Sequence, residues 1–153
     1  MEQLKRLEEM LNDLVSYALG ESVIDNMVVA VNTGKAEMQT RIFNSESGTR
    51  DVNGSGLGGY SNPYAAYRKQ KGRQSNVVDL ELTGALRRSL KTEIANNSVA
   101  IVVEGQTEIK KLGDIERRYK KNIFDASQKE EELIMNTFSE LITQDITNIL
   151  KNA

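Results

Sequence analysis

The sequence predicts an α+β fold, with helices packed on a small antiparallel β-sheet and a long C-terminal helix, and three observations carry that prediction. Apolar residues recur at spacings of three and four near both ends of the chain, from Leu4 to Ala18 and from Leu133 to Ile149. Between them, residues 92–94 and 99–103 are β-rich runs flanking Asn96-Asn97, where asparagine tolerates the positive φ of a tight turn. Finally, 153 residues without an internal repeat leave room for one core. The chain therefore reads as a single domain, divided into N-terminal helices (1–43), a glycine-rich loop (44–62), a strand–helix–hairpin region (63–104) and C-terminal helices (105–153).

The elements follow in order. Leu4, Leu7, Leu11, Leu14, Val15 and Ala18 form one stripe of an amphipathic helix over 2–19, which Gly20 can stop. A second helix is expected over 22–43. A strand is the alternative there, because Val28-Val29-Ala30-Val31 is rich in β-branched residues and Gly34 interrupts the pattern. Residues 44–62 contain five glycines and few large apolar side chains, too few to offset about 1–2 kcal/mol per residue of backbone ordering. The loop is expected to be mobile until a neighbouring subunit orders it, with Leu57 and Tyr60 as anchors and Arg50 and Asp51 as polar contacts. Pro63, capped by Ser61 or Asn62, can start a short helix through Tyr64, Tyr67 and Arg68.

Val78-Asp79-Leu80-Glu81-Leu82 alternates apolar and charged residues, as a strand with one buried face does. Thr83 can then cap a short helix through Leu86 and Leu90, ahead of the hairpin. A charged helix is expected over 107–124, weakened by Gly113. Ser127-Gln128-Lys129-Glu130 is a capping box opening the last helix, which runs to Leu150 with Leu133, Ile134, Phe138, Leu141, Ile142, Ile146 and Ile149 on its stripe.

Composition narrows the function classes. Hydrophobic residues at 39% and charged residues at 27% mark a globular chain rather than a disordered one. No apolar run approaches the roughly 18 residues of a membrane span, and the charged, periodic N-terminus is unlike a secretory signal. The expectation is a soluble intracellular product with no membrane partner. The chain has no cysteine and no histidine, which removes thiol nucleophiles, the usual zinc ligands and the side chain best suited to proton transfer near neutral pH. A non-enzyme without cofactor or metal is expected.

Several motifs fit that expectation. Gly54, Gly56 and Gly59 match a dinucleotide fingerprint, yet no strand precedes them and no helix opens at their end. Asp51-Val52-Asn53-Gly54-Ser55-Gly56 resembles the start of a calcium loop, but Asn62 stands where a bidentate glutamate is needed. Glu130, Glu131 and Glu132 complement the dipole of the last helix. Arg117-Arg118 and Lys120-Lys121 lie among Glu108, Asp114 and Glu116, as on an ion-paired solvated face. Tyr60, Tyr64 and Tyr67 beside Arg68, Lys69 and Arg73 suit either base stacking or a protein interface.

Net charge is −2, but its distribution alternates. Residues 1–25 carry six acids and two bases, 65–91 seven bases and two acids, and 125–153 six acids and two bases. Such alternation suits polar contacts between unlike surfaces of neighbouring molecules, or ordinary solvated faces.

Two stretches carry a family resemblance. Val78-Asp79-Leu80-Glu81-Leu82-Thr83-Gly84-Ala85-Leu86-Arg87-Arg88-Ser89 resembles the "DL-x-x-TG-x-L-x-x-S" core of bacteriophage neck and tail-completion proteins, including the virion-morphogenesis proteins similar to protein G of phage Mu. Arg118-Tyr119, then Ile123-Phe124 and the serine-capped final helix, is similar to the family's second pattern. The resemblance covers roughly residues 59–152, and departs from many members between Val103 and Phe124, where this chain has no proline. It implies a structural virion component: copies of the chain in a closed ring, between portal or adaptor and tail, around a channel that DNA traverses without specific recognition. On this reading Leu80, Leu82, Thr83, Gly84, Leu86 and Ser89 form a structural junction. Arg50, Asp51, Leu57, Tyr60, Tyr64, Tyr67, Arg68, Arg87, Arg118 and Tyr119 are interface candidates. The alternative is a nucleic-acid-binding module using the basic stretch from Tyr64 to Lys91.

Overall fold

Gly20 ends the first apolar periodicity, and the chain bends there instead of continuing as one rod. In the computed structural model, which describes residues 2–152, helix α1 (Glu2–Ala18) and helix α2 (Glu21–Ile42) meet at 48°. There follow α3 (Asn62–Gln70), α4 (Ala85–Ser89), the strands β1 (Leu90–Ala95) and β2 (Ser98–Val103), α5 (Gln106–Tyr119) and the long α6 (Gln128–Asn152). The fold is α+β. The strands pair antiparallel from Leu90 opposite Val103 to Ala95 opposite Ser98, and Asn96 takes φ 54° at the turn.

Helix α2 forms in spite of its valines because its period is three and four: Ala30, Val31, Gly34, Met38 and Ile42 are its buried positions. It runs antiparallel to α6, with Asn26 bonded to Asp145 at one end and Arg41 to Glu130 at the other. Gly34 lies on their seam. A Cβ there would sit 2.4 Å from Ile134 Cγ1, so the residue that looked like an interruption is a point of close helix approach. The core lies toward the Arg41 end, where Met38, Ile42, Phe43, Leu86, Leu90 and Ile123 pack together.

Four expectations are corrected. First, residues 44–62 are folded onto their own chain. Thr49 is fully buried, and its N–H donates to Val78 O at 2.6 Å. The N–H groups of Arg50 and Val52 donate to Arg41 O and Asn122 O, and Arg50 bridges to Gly56. Backbone hydrogen bonds hold most of the loop, with Leu57 packed on the core as its apolar anchor, which is why composition gave little sign of its order.

Second, residues 78–82 are not a strand. Leu80 has φ 53°, and the adjacent residues Val78 and Asp79 are both buried, which an alternating strand does not allow; Asp79 is held by Arg68. Third, the short helix stops at Ser89, and Leu90 opens β1. Fourth, α5 stops at Tyr119. Lys120 takes φ 51°, and Glu116 Oε1 accepts the N–H groups of Ile123 at 2.8 Å and Phe124 at 3.1 Å, which turns Ile123 into the core.

The capping box is formed. Ser127 N donates to Glu130 Oε2 at 2.7 Å, and Glu130 N to Ser127 Oγ at 3.3 Å. Glu130 does more than face a helix dipole: fully buried, it takes Arg41 Nε at 2.6 Å and Arg41 Nη2 at 3.1 Å. Arg41 also donates to the carbonyls of Arg50, Ile123 and Asp125, so one guanidinium ties α2, the glycine-rich loop and the entry to α6.

Candidate interface groove

The functional side chains converge through a buried ionic knot. Arg68 on α3 places Nη2 2.8 Å from Asp79 Oδ1 and 3.0 Å from Oδ2, with both residues fully buried. Tyr60 Oη donates to Asp79 Oδ1 at 2.9 Å, Gln74 Nε2 donates to Oδ2 at 2.6 Å, and the Arg68 guanidinium lies 4.4 Å from the Tyr60 ring centroid. Each oxygen of Asp79 is thus satisfied, as a buried carboxylate requires. Burial, together with the hydrogen bond to Asp79, pushes the Tyr60 hydroxyl above its ordinary pKa, so it stays protonated. The knot bends residues 78–82 out of a strand and ties α3 to the start of the structural junction.

From there the chain makes a tight entry into α4. Gly84 has φ 74°, a conformation that strains any residue with a Cβ. The N-cap is Gly84 and not Thr83 as expected; Thr83 stands one residue earlier, where its Oγ1 accepts the N–H of Ala85 at 3.3 Å. Leu86 is buried, and Ser89 Oγ donates to Leu86 O at 2.7 Å. Leu80 and Leu82 are half-buried.

Together these segments enclose an open groove of about 340 Å³. Leu80, Leu82, Leu86 and Ile115 supply apolar wall, and Tyr60, Tyr64 and Tyr119 supply aromatic wall. Thr83, Gly84 and Ala85 lie at the α4 entry, while Lys111 and Arg118 on α5 bring positive charge. No aspartate or glutamate is among its lining residues. Nor does any group of three or more His, Cys, Asp or Glu among the described residues form a metal-binding cluster. An apolar floor with cationic, aromatic sides is chemically matched to apolar side chains flanked by carboxylates.

Of the interface candidates, Tyr60, Tyr64, Arg68, Arg118 and Tyr119 meet here, with all the junction residues except Ser89. Arg68 is corrected from a surface contact to an internal support, because Asp79 consumes its charge. Tyr67 is exposed outside the groove, stacked 5.9 Å from Tyr64 with Lys71 over its ring. Arg87 is exposed and lies 3.5 Å from Glu81.

Arg50, Asp51 and Leu57 belong to the glycine-rich loop instead. Arg50 is exposed and donates to Gly54 O, while Leu57 packs on the core. Asp51 is a second correction. It is buried; Oδ1 accepts the N–H groups of Asn53 and Ser55, and Oδ2 takes Lys121 at 3.2 Å. Burial raises its pKa, but those donors outweigh it and hold the carboxyl below the ordinary range.

Sequence reasoning missed Lys111 and Ile115, whose place on the groove depends on how α5 folds back. It also missed Arg41, whose only signal was an arginine in the last turn of an apolar helix. No single helix among the described residues is long and apolar enough to cross a membrane, although the bent pair of α1 and α2 together has the length and composition of a broken span. Comparison of the chain with protein-family models, with curated proteins and with solved structures finds no match.

Proposed function

We propose that the chain is a non-enzymatic structural protein of a bacteriophage particle, a subunit of the ring that joins head to tail. In this reading copies of the chain close into a homo-oligomeric ring, assembled in the host cytoplasm and carried in the virion. Its faces meet portal or adaptor proteins and tail proteins, and DNA passes through without sequence recognition and without a membrane. The supporting observation is convergence. The family-like stretches around Thr83-Gly84 and Arg118-Tyr119 are far apart in sequence, yet they line one groove. That groove contains no free acid–base pair, and its lining suits a protein contact.

The reading as a nucleic-acid module loses one base, because Arg68 is buried against Asp79, but it keeps exposed Lys69, Lys71 and Arg73 beside exposed Tyr67. The two readings part in one experiment. The purified chain, alone and mixed with bacteriophage portal and tail proteins, is weighed by native mass spectrometry and imaged by electron microscopy. Closed rings of one size are expected. A chain that stays monomeric with those proteins, yet binds DNA with an affinity falling steeply with salt, overturns the ring and supports the module.

A further inference from the structure

Helix α1 is packed along only one edge. Met10, Leu14 and Tyr17 are half-buried toward the α2–α6 pair, and Tyr17 Oη donates to Asp145 Oδ2 at 2.9 Å. The neighbouring stripe is in water: Leu7 is 49% exposed, Leu11 53% and Val15 57%. Three large apolar residues at spacing four on one helix form a face that fits a groove on a partner.

We propose that this stripe of α1 docks in the groove between α3, α4 and α5 of the next copy of the chain. This deepens the ring reading and rests on it. Charge selects the occupant. Helix α1 carries four acids against Lys5 and Arg6, and with Glu9 paired to Lys5 it is Glu8 that borders the exposed stripe as an acid, whereas the groove lining holds no carboxylate. Arg118 has no carboxylate partner among the described residues, and Lys111 shares its charge with Glu108. A net acidic amphipathic helix and a cationic, apolar groove are complementary, whereas two net acidic α1 helices set side by side lack that complementarity.

Position agrees with charge. Helix α1 joins the α2–α6 pair at the Asn26–Asp145 end, while α4 and the core it covers lie toward the Arg41–Glu130 end. The two surfaces are different and remote on one chain, so their contact is head-to-tail and repeats from copy to copy. Such a contact closes a ring when the rotation permits.

The chain has no cysteine, so introduced thiols are the only ones present. Two full-length variants, Leu11→Cys and Ser61→Cys, are mixed under assembling conditions and oxidised or bridged with a short bis-thiol reagent. Cross-links between the two variants are expected to exceed Leu11–Leu11 cross-links by about tenfold. Assembled rings that give only Leu11–Leu11 cross-links, or none, overturn the docking.

A second variant, Leu7→Ser with Leu11→Ser, is expected to melt as the parent does but to assemble about tenfold or more weakly. If it assembles as well as the parent, the docking is wrong while the ring reading stands. A parent chain that never passes beyond monomer with its portal and tail proteins overturns the ring reading instead. Binding to anionic lipid vesicles that depends on Leu7 and Leu11, without rings, assigns the stripe to a membrane surface and also overturns the docking.

Discussion

The two ends of the α2–α6 pair are built differently. At one end Glu130 is buried and Arg41 half-buried over it, and the guanidinium reaches three backbone carbonyls besides the carboxylate. At the other, Tyr17, Asn26 and Asp145 form a half-buried polar knot, with distances of 2.7 to 3.1 Å, under a helix whose apolar stripe is largely in water. The first end has the construction of a folding core. The second leaves a helix tethered by a polar knot with its apolar stripe uncovered, the construction our docking proposal calls for. Buried charge with every partner satisfied is costly to disturb, whereas a half-exposed helix can open at little expense.

The largest effect is expected at the closed end. Arg41→Ala leaves Glu130 as a buried charge without its partner, and urea denaturation should show a loss of ~3–5 kcal/mol. A loss under about 1 kcal/mol would mean that water reaches the site and that the asymmetry between the ends is overstated. Leu86→Ala, in the core beside the groove, should cost ~2–5 kcal/mol through lost burial and a residual cavity. A change within about 0.5 kcal/mol, as at a surface site, would remove the structural junction from the core.

Gly34→Ala tests the seam between the ends. An added methyl meets Ile134, and such overpacking costs about 1–3 kcal/mol, against a gain in helix propensity of up to about 1 kcal/mol. Net destabilisation is expected, and adding Ile134→Ala, which removes both Cγ1 and Cδ1, should cost less in the Gly34→Ala background than in the parent. A Gly34→Ala variant that is more stable than the parent would show that the helices are not in close approach there.

A smaller effect concerns pH. The Asp51 carboxyl has a pKa in the folded chain below its unfolded value. Its contribution is therefore present above the unfolded value, about 3.9, and is lost as pH falls through the folded value. Asp51→Asn should flatten the acid limb of the stability–pH curve and leave its slope near neutrality unchanged. An identical acid limb in the variant would exclude this role. Smallest of all, Leu11→Ser on α1 should change the stability of the isolated chain by no more than about 0.5 kcal/mol.

Periodicity and capping made most of the fold legible. Helix α1, the hairpin around Asn96-Asn97 and the Ser127–Glu130 box depend on neighbours in sequence, and each formed as local chemistry dictates. The misreadings share a different cause, which is a partner distant in sequence. Residues 78–82 alternate like a strand, but Asp79 is claimed by Arg68 and the backbone yields, so that Leu80 enters positive φ. The glycine-rich loop has few apolar anchors beyond Leu57, but Arg41, Val78 and Asn122 supply its backbone partners. Of the candidate site, the aromatic and Thr-Gly residues were legible. The burial of Arg68 and Asp51 was not, because their counter-charges come from Asp79 and Lys121.

Hydrogen exchange of the free chain and of its assembled form tests the central contrast most directly. In the free chain, amides of α1 should exchange far faster than those of α2 and α6 around Arg41 and Glu130, since exposed helices open locally and the ion-paired core opens only globally. On assembly α1 should gain protection, and the core should change little. Protection of α1 equal to that of α2 in the free chain would contradict the account, because the arm would then already be part of the core.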